Sequence, residues 1–278
     1  MPDSNATNPA PFEEANLREA LQACDADRAV SDIHILEETT STNDEAAQLA
    51  RGGAPENTLV LAESQTAGRG RRGAVWSSPS HCDLLFSLIL HPPALQPPEQ
   101  LGRLPHLIGV AICRSIEKAC PVIETKLKWP NDVYIQGKKV AGILVENTSD
   151  SSQAFSIAGV GINVNSLNDD RPAELHSTAT SLYEETGETI DRHQVAAAFL
   201  ANFHQLYPTG LEEFAEILAV IEGRSLLLGA KISALLGKTD ITGKVIDFGI
   251  NGELIVEVEK KGKTEQRVLN SADQVRLV

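Results

Sequence analysis

The sequence predicts a mixed α/β domain followed by a small all-β barrel, and three observations carry that expectation. Between residues 31 and 221, apolar runs of strand character alternate with segments of helical period. The composition changes at Glu222-Gly223. Beyond that point short strands alternate with turn signals, the strongest being Asn251-Gly252 ahead of Leu254, Val256 and Val258. A chain of 278 residues is long enough for one mid-sized domain and a small one.

The elements follow in order. Residues 1–30 are rich in Asn, Ala, Pro and Glu and predict a poorly anchored tail, with a short helical pattern around Phe12 to Cys24. Ser31 to Glu37 is the first strand. A helix opens near Ser41-Thr42-Asn43, where Thr42 and Glu45 have capping-box spacing, and Gly52-Gly53 stop it. Thr58 to Glu63 and Leu84 to Leu90 are apolar strands, the second ended by His91-Pro92-Pro93. Leu101 to Ala119 is helical. Val133 to Ile135 and Val140 to Glu146 form a hairpin about Gln136-Gly137. Phe155 to Val164 is a further strand, and Val195 to Ile221 is largely helical. The barrel spans 222–278, where 9 Lys+Arg against 8 Asp+Glu give +1, leaving −15 for the rest of a chain whose net charge is −14. A closed barrel is a natural arrangement for short strands of this kind.

Composition excludes several classes. No apolar run approaches a membrane span, and the acidic start, Met1-Pro2-Asp3-Ser4-Asn5, lacks signal-peptide character. Cys24, Cys82, Cys113 and Cys120 show no metal-ligand spacing. The expectation is a cytoplasmic protein with reduced thiols, no membrane association and no protein-built metal site. An acidic chain with basic clusters only at Arg69 to Arg72 and Lys138-Lys139 suits a local anionic ligand better than DNA.

Four segments carry chemistry. Gly68-Arg69-Gly70-Arg71-Arg72-Gly73 matches a dinucleotide fingerprint in form, but no helix follows it, and three arginines do not suit a motif that holds phosphate on backbone amides. It reads instead as an anion clamp, glycines wrapping the ligand and Arg69 and Arg71 donating to its oxygens. A solvated turn is the alternative. In Lys128-Trp129-Pro130-Asn131-Asp132, Pro130 forces Trp129 to be extended and places Asn131 and Asp132 at a sharp turn. The hairpin after it returns Lys139 toward Asp132, although Lys139 alone would pass for an exposed turn lysine. Gly159-Val160-Gly161 puts two glycines into an apolar strand, for close approach of a ligand or of a packed helix.

Together these segments resemble the biotin–protein ligase family. The resemblance rests on Ser41-Thr42-Asn43, Gln65 with Gly68 to Gly73, Trp76, Lys128 to Asp132, Lys139 to Glu146 and Gly159 to Asn163, and it covers residues from about 33 to 278. It implies a mixed-sheet, class II synthetase-like catalytic domain over 31–221 and an SH3-like barrel over 222–278. The activity implied is ATP-dependent activation of biotin as biotinyl-5'-AMP, then transfer to a lysine of a biotin carboxyl carrier protein, an acetyl-CoA carboxylase subunit or similar. Ser41, Thr42, Asn43, Gln65, Gly68, Arg69, Gly70, Arg71, Lys139, Gly142, Gly159 and Gly161 would meet biotin. Arg71, Trp76, Lys128, Asn131, Lys139 and Asn163 would meet ATP, with adenine packed on Trp76 and Mg2+ accompanying the phosphates. Arg71 and Lys139 would be catalytic. Asp132 would accept the proton of the incoming amine, or else hold the turn or the metal.

Some departures and alternatives accompany the resemblance. Some relatives carry an N-terminal DNA-binding winged helix, whereas about 30 residues precede the first strand here, with two arginines against six acids; the expectation is a dedicated ligase without a repressor role. Ser80-His81-Cys82-Asp83 replaces a glycine-rich turn, which bears on the cavity entrance. Asn270 stands where many relatives have an ATP-holding arginine, with Arg267 a candidate substitute. A lipoate or octanoate ligase and a non-catalytic biotin-binding regulator are the competing readings, and homodimerisation through sheet edges is left open.

Overall fold

The computed structural model describes residues 10–92, 98–150, 153–207, 209–260 and 262–278. The last residue of the predicted His91-Pro92-Pro93 stop lies outside them. The elements in order are α1 (Glu14–Gln22), β1 (Asp32–Thr39), α2 (Thr42–Arg51), β2 (Thr58–Gln65), β3 (Leu84–Leu90), α3 (Pro98–Leu101), α4 (Leu104–Ala119), β4 (Lys126–Lys128), β5 (Asp132–Ile135), β6 (Lys138–Asp150), β7 (Gln153–Ile162), α5 (Leu182–Thr186), α6 (Arg192–Leu206), α7 (Thr209–Glu212) and α8 (Phe214–Arg224). Five strands follow: β8 (Lys231–Leu236), β9 (Thr239–Phe248), β10 (Leu254–Lys260), β11 (Lys263–Leu269) and β12 (Asp273–Leu277).

β1 to β7 form one mixed sheet in the order β1-β2-β3-β7-β6-β5-β4. Only β1 and β2 pair in parallel; the neighbours onward from β2 are antiparallel. The central strands β2 and β3 bury both faces, which is why they read as mainly apolar runs. Leu84, Phe86, Leu88 and Leu90 of β3 face the core built with α4 and α6, while Ile89 joins Val60, Phe155 and Ile157 beneath Ala46 and Ala50 of α2. The period of two thus splits the strand between two helical layers. The second sheet, β11-β10-β9-β8-β12, is antiparallel throughout.

Three expectations need correction. The tail is not loose where it is described: α1 buries Leu17, Ala20 and Leu21, and Phe12 stacks on His193 with centroids 4.2 Å apart. Arg192 Nη2 donates to the Ala10 carbonyl at 2.8 Å while its Nη1 pairs with Glu63 at 2.5 Å, and the Phe12 N–H donates to Glu63 as well. Burial works to raise the Glu63 pKa, but these donors hold it below the usual carboxylate range. The sequence hid this because the anchor partners lie far away in the chain. The capping box at Thr42 is not formed either. Ser41 is the N-cap and makes no side-chain cap bond; Thr42 turns to Gln65 and Glu45 accepts from Thr39 at 3.0 Å. Finally, α8 runs to Arg224, so the composition break at Glu222-Gly223 falls inside a helix and the strands begin only at Lys231.

The two sheets are tied together next to the Trp-Pro turn. Trp129 Nε1 donates to the Gly252 carbonyl at 2.9 Å, Arg103 donates to Asn251 Oδ1 at 2.7 and 3.0 Å, and Leu226 N–H reaches the Leu127 carbonyl. His106 packs against Gly252, where any Cβ would lie 2.4 Å from its Nε2. Gly252 also has φ +85°, so glycine is required there twice over.

Candidate active site

The site grows from the register of four strands. One row across the sheet runs Asp132 (β5), Gly142 (β6), Gly161 (β7) and Leu85 (β3); two residues along, a second row runs Leu144, Gly159 and Ser87. The N-terminus of α2 sits over the second row. Glycines at three of these positions leave a trough, and around it lies a cavity of about 410 Å3, within the range of small-molecule sites. No helix among the described residues is long and apolar enough to cross a membrane, and among them no cluster of three or more His, Cys, Asp or Glu could hold a metal.

Fifteen of the seventeen expected site residues line this one cavity: Ser41, Thr42, Asn43, Gln65, Arg69, Gly70, Arg71, Trp76, Lys128, Asn131, Asp132, Lys139, Gly142, Gly159 and Gly161. The other two sit behind it. Gly68 shapes the loop: its carbonyl accepts the Trp76 N–H at 2.9 Å, and a Cβ there would lie 2.5 Å from the Trp76 carbonyl oxygen. Asn163, expected at ATP, is buried and donates to the Thr180 carbonyl at 2.9 Å. Residues 178–180 in turn hold the Lys139 backbone through Lys139 N–H to Thr178 O and Thr180 N–H to Lys139 O. Asn163 is therefore a brace for Lys139, not a cavity wall.

The arginine loop folds as a short 3-10 turn, Arg71–Gly73, closed by Gly70 N–H to Ala74 O at 2.7 Å. Arg72 takes φ +52° and reaches Ser271 Oγ at 3.4 Å, linking the loop to the second sheet. Arg71 Nη1 points at Asn131 Oδ1 at 3.5 Å, and Asn131 is itself fixed by donation to the Ile143 carbonyl. Arg69 differs from expectation. Its guanidinium forks onto Asp44 of α2 at 2.6 and 2.7 Å and lies 3.5 Å from Glu146. Arg69 holds the Asp44 carboxyl below its ordinary range. Paired with protein carboxylates in this way, Arg69 is a strut between loop and helix while still lining the cavity.

The hairpin does return Lys139 to Asp132: Nζ lies 2.6 Å from Oδ1. Lys139 Nζ also stands 5.4 Å from the Trp76 ring centroid. Lys128 donates to Tyr134 Oη at 3.2 Å. Burial draws the Lys128 ammonium below the usual lysine range and pushes the Tyr134 phenol up to about 12. Trp76 packs directly against Gly142 and Gly161. Cβ atoms at these two positions would lie 2.8 and 2.5 Å from the indole. The glycines make room for the ring, which becomes a floor of the cavity. Its buried Nε1 has no hydrogen-bond partner among the described residues.

Sequence reasoning missed Arg276. With Ala272, Gln274 and Val275 it brings the second sheet to the cavity. Arg267, the expected substitute, pairs with Glu265 at 2.8 Å on an exposed face and does not line the cavity. A single arginine in the last strand carries no motif; only the docking of the two sheets reveals it. Ser80 to Asp83 do not line the cavity either. Asp83, fully buried, accepts from Ser78 Oγ at 2.7 Å and from Val164 N–H at 2.8 Å and so pins the turn that replaces the glycine-rich one.

Comparison with known proteins agrees with this architecture. Residues 35–163 match the model of the biotin/lipoate A/B protein ligase family. The biotin–[acetyl-CoA-carboxylase] ligase of Mycobacterium tuberculosis is 32% identical over the full length of both chains. The bifunctional ligase/repressor BirA of Bacillus spizizenii is 39% identical over 80% of this chain and 68% of its own. The biotin protein ligase of Aquifex aeolicus in complex with biotin and ATP superposes with a TM-score of 0.75 at 32% identity, covering 89% of this chain and all of that one. The chain belongs to the biotin/lipoate A/B protein ligase family, among its biotin protein ligases.

Proposed function

We propose that this chain activates biotin with ATP to form biotinyl-5'-AMP and transfers the biotinyl group to a lysine of a carboxyl carrier protein. The observation that carries this reading is one cavity holding Arg71, Lys128, Lys139 and Arg276 opposite the polar start of α2. In the first step a carboxylate oxygen attacks the α-phosphorus and the bond to the pyrophosphate leaving group breaks. Two unit charges 4 Å apart repel by about 4 kcal/mol at an effective dielectric near 20. Fixed cations offset that repulsion and stabilise the charge that grows on the phosphoryl oxygens. Lys139 and Arg71 serve the reacting carboxylate and α-phosphate; Lys128, Asn131 and Arg276 serve the nucleotide. Ser41, Thr42, Asn43 and Gln65 hold the biotin rings.

Asp132 is the one carboxylate among the described residues lining the cavity, and Lys139 engages it. That donor set does not make a metal cage, so magnesium enters with the phosphates of its nucleotide. In the second step the carrier amine attacks the anhydride carbonyl and AMP leaves. A free lysine is deprotonated to only about one part in a thousand at pH 7, and Asp132, released from Lys139, accepts the amine proton.

Incubation with ATP, magnesium and biotin, lipoate or octanoate, followed by pyrophosphate exchange and the mass of an added carrier domain, tests the reading. Biotin alone should drive exchange and label the carrier. Exchange driven by lipoate or octanoate would move the chain to the other branch of its family, and binding of biotin without exchange would make it a regulator.

A further inference from the structure

We infer that Glu146 and Ser87, both behind the cavity wall, fix the polarity of Asn43 and thereby select a ligand ring that donates an N–H to it. This rests on the reading of the cavity as a biotin site. A primary amide can present either its oxygen or its nitrogen, and its surroundings decide which. Asn43 Nδ2 lies 2.5 Å from Glu146 Oε2 and 3.4 Å from the Leu144 carbonyl. Both neighbours only accept, so they consume both amide protons. Asn43 Oδ1 receives the Ser87 hydroxyl at 2.6 Å, and Ser87 Oγ is 2.8 Å from Thr42 Oγ1. The unspent capacity of the Asn43 amide is therefore one acceptor lobe on Oδ1. Gly159 lets the amide settle there, since a Cβ at that position would lie 2.2 Å from Oδ1.

Gln65 is polarised the other way. Its Oε1 accepts the Thr42 backbone N–H at 2.8 Å and lies 3.2 Å from the Thr42 hydroxyl. The backbone N–H is an obligate donor, which leaves the Gln65 amide nitrogen as donor to the cavity. The wall thus offers one acceptor and one donor side by side, the complement of an N–H next to a C=O, as in a cyclic urea. A ring of carbon and sulfur alone would leave both groups unpaired, which is how sites built for hydrogen bonding reject such analogues. Glu146 and Ser87 are positioning residues: neither lines the cavity, and each acts on the ligand only through Asn43.

The test uses the full chain and biotin-dependent pyrophosphate exchange, with biotin and with two analogues methylated on one or the other ureido nitrogen. The unmodified chain should discriminate against one of the two analogues by about tenfold or more in KM, the worth of one lost hydrogen bond. Ser87→Ala and Glu146→Ala should each raise the KM for biotin by about tenfold, with most of the loss in KM and little in kcat, and should erase the discrimination. Glu146→Gln retains an acceptor toward Nδ2 and should restore both. Glu146 also neighbours Arg69 whereas Ser87 does not, so a shared signature excludes an effect through the loop. Wild-type KM and discrimination in the soluble, folded alanine variants would overturn the inference. So would equal use of both methylated analogues and biotin by the unmodified chain, whatever the variants do. Absence of biotin-driven exchange in the unmodified chain would instead remove the functional reading itself.

Discussion

Replacing Lys139 by alanine isolates the electrostatic contribution of a single ammonium. Five cationic residues, Arg69, Arg71, Lys128, Lys139 and Arg276, and one carboxylate, Asp132, line the cavity. Lys139 lies 2.6 Å from that carboxylate. The substitution therefore removes a fixed donor to the phosphoryl oxygens and also strips Asp132 of its partner. Loss of one such donor costs about 100- to 1000-fold in rate, or roughly 3–4 kcal/mol. The uncovered carboxylate adds repulsion toward the incoming biotin carboxylate, of the order of a few kcal/mol at 4 Å and effective dielectric 20. Lys139→Ala/Asp132→Asn removes that second component and should recover about tenfold over the single variant, about 1.4 kcal/mol of barrier. Stability should change little: the side chains of the pair are 30% and 22% exposed, and partly solvated pairs contribute about 1 kcal/mol or less. The assay is pyrophosphate exchange at saturating biotin and ATP, with thermal unfolding in parallel. A Lys139→Ala variant within threefold of the unmodified rate would refute the charge argument, and a double variant slower than the single would refute the repulsion component.

Four further outcomes are expected. Asp132→Asn should slow transfer from preformed biotinyl-adenylate to the carrier by about 100-fold, the usual range for a general base; unchanged transfer would take Asp132 out of that role. Arg276→Ala should raise the KM for ATP by about tenfold, the scale of one charged hydrogen bond, while Arg267→Ala leaves it unaltered; the reverse pattern would show that the second sheet docks differently. Asp44→Ala removes the forked partner of Arg69 and should speed biotin dissociation about fivefold, near 1 kcal/mol for an exposed pair, read by stopped-flow tryptophan fluorescence. Burial lowers the His106 pKa from 6.5 to about 4, with Gly252 and Glu253 opposing. The folded state keeps His106 neutral while the unfolded chain protonates, so stability is complete above pH 6.5 and falls between 6.5 and 4. About 2 kcal/mol should be lost by pH 5, and His106→Asn should flatten that part of the Tm–pH curve.

The sheet and the site were legible to different depths. β3 and the β5–β6 hairpin were plain because their signals are local: an apolar run broken by Ser87 alone, and a turn in which Gln136 and Gly137 adopt positive φ. The cavity wall was legible because its residues sit in short dense strings that the register of β5, β6, β7 and β3 brings into two rows. What escaped depends on partners distant in sequence. Arg69 reads as a clamp until Asp44, 25 residues earlier, is seen to occupy it. The packing of Trp76 on Gly142 and Gly161 shows only once the strands are in register. Phe12 reads as tail until Glu63 and Arg192 form its socket. Arg276 reads as nothing at all until two sheets dock.

The arrangement of charges explains how five cationic residues can line one cavity. Like charges in a partly dehydrated trough repel, and each would lose stability or its proton unless compensated. Each of the lysines and Arg69 finds a different answer. Arg69 is balanced by Asp44 and Glu146, which tie the arginine loop to α2 and β6. Lys128 donates to a phenol, and burial draws its pKa down although the nearby Asp132 carboxylate works against that shift. Lys139 is balanced by Asp132, the group proposed to accept the amine proton in the transfer step. In the proposed reaction, anions bound in the first step would compete with Asp132 for the ammonium and loosen the carboxylate. On the proposed base role of Asp132, the 2.6 Å contact would link the two half-reactions in order, with Lys139 holding the carboxylate before activation and giving it up as the adenylate draws the ammonium away.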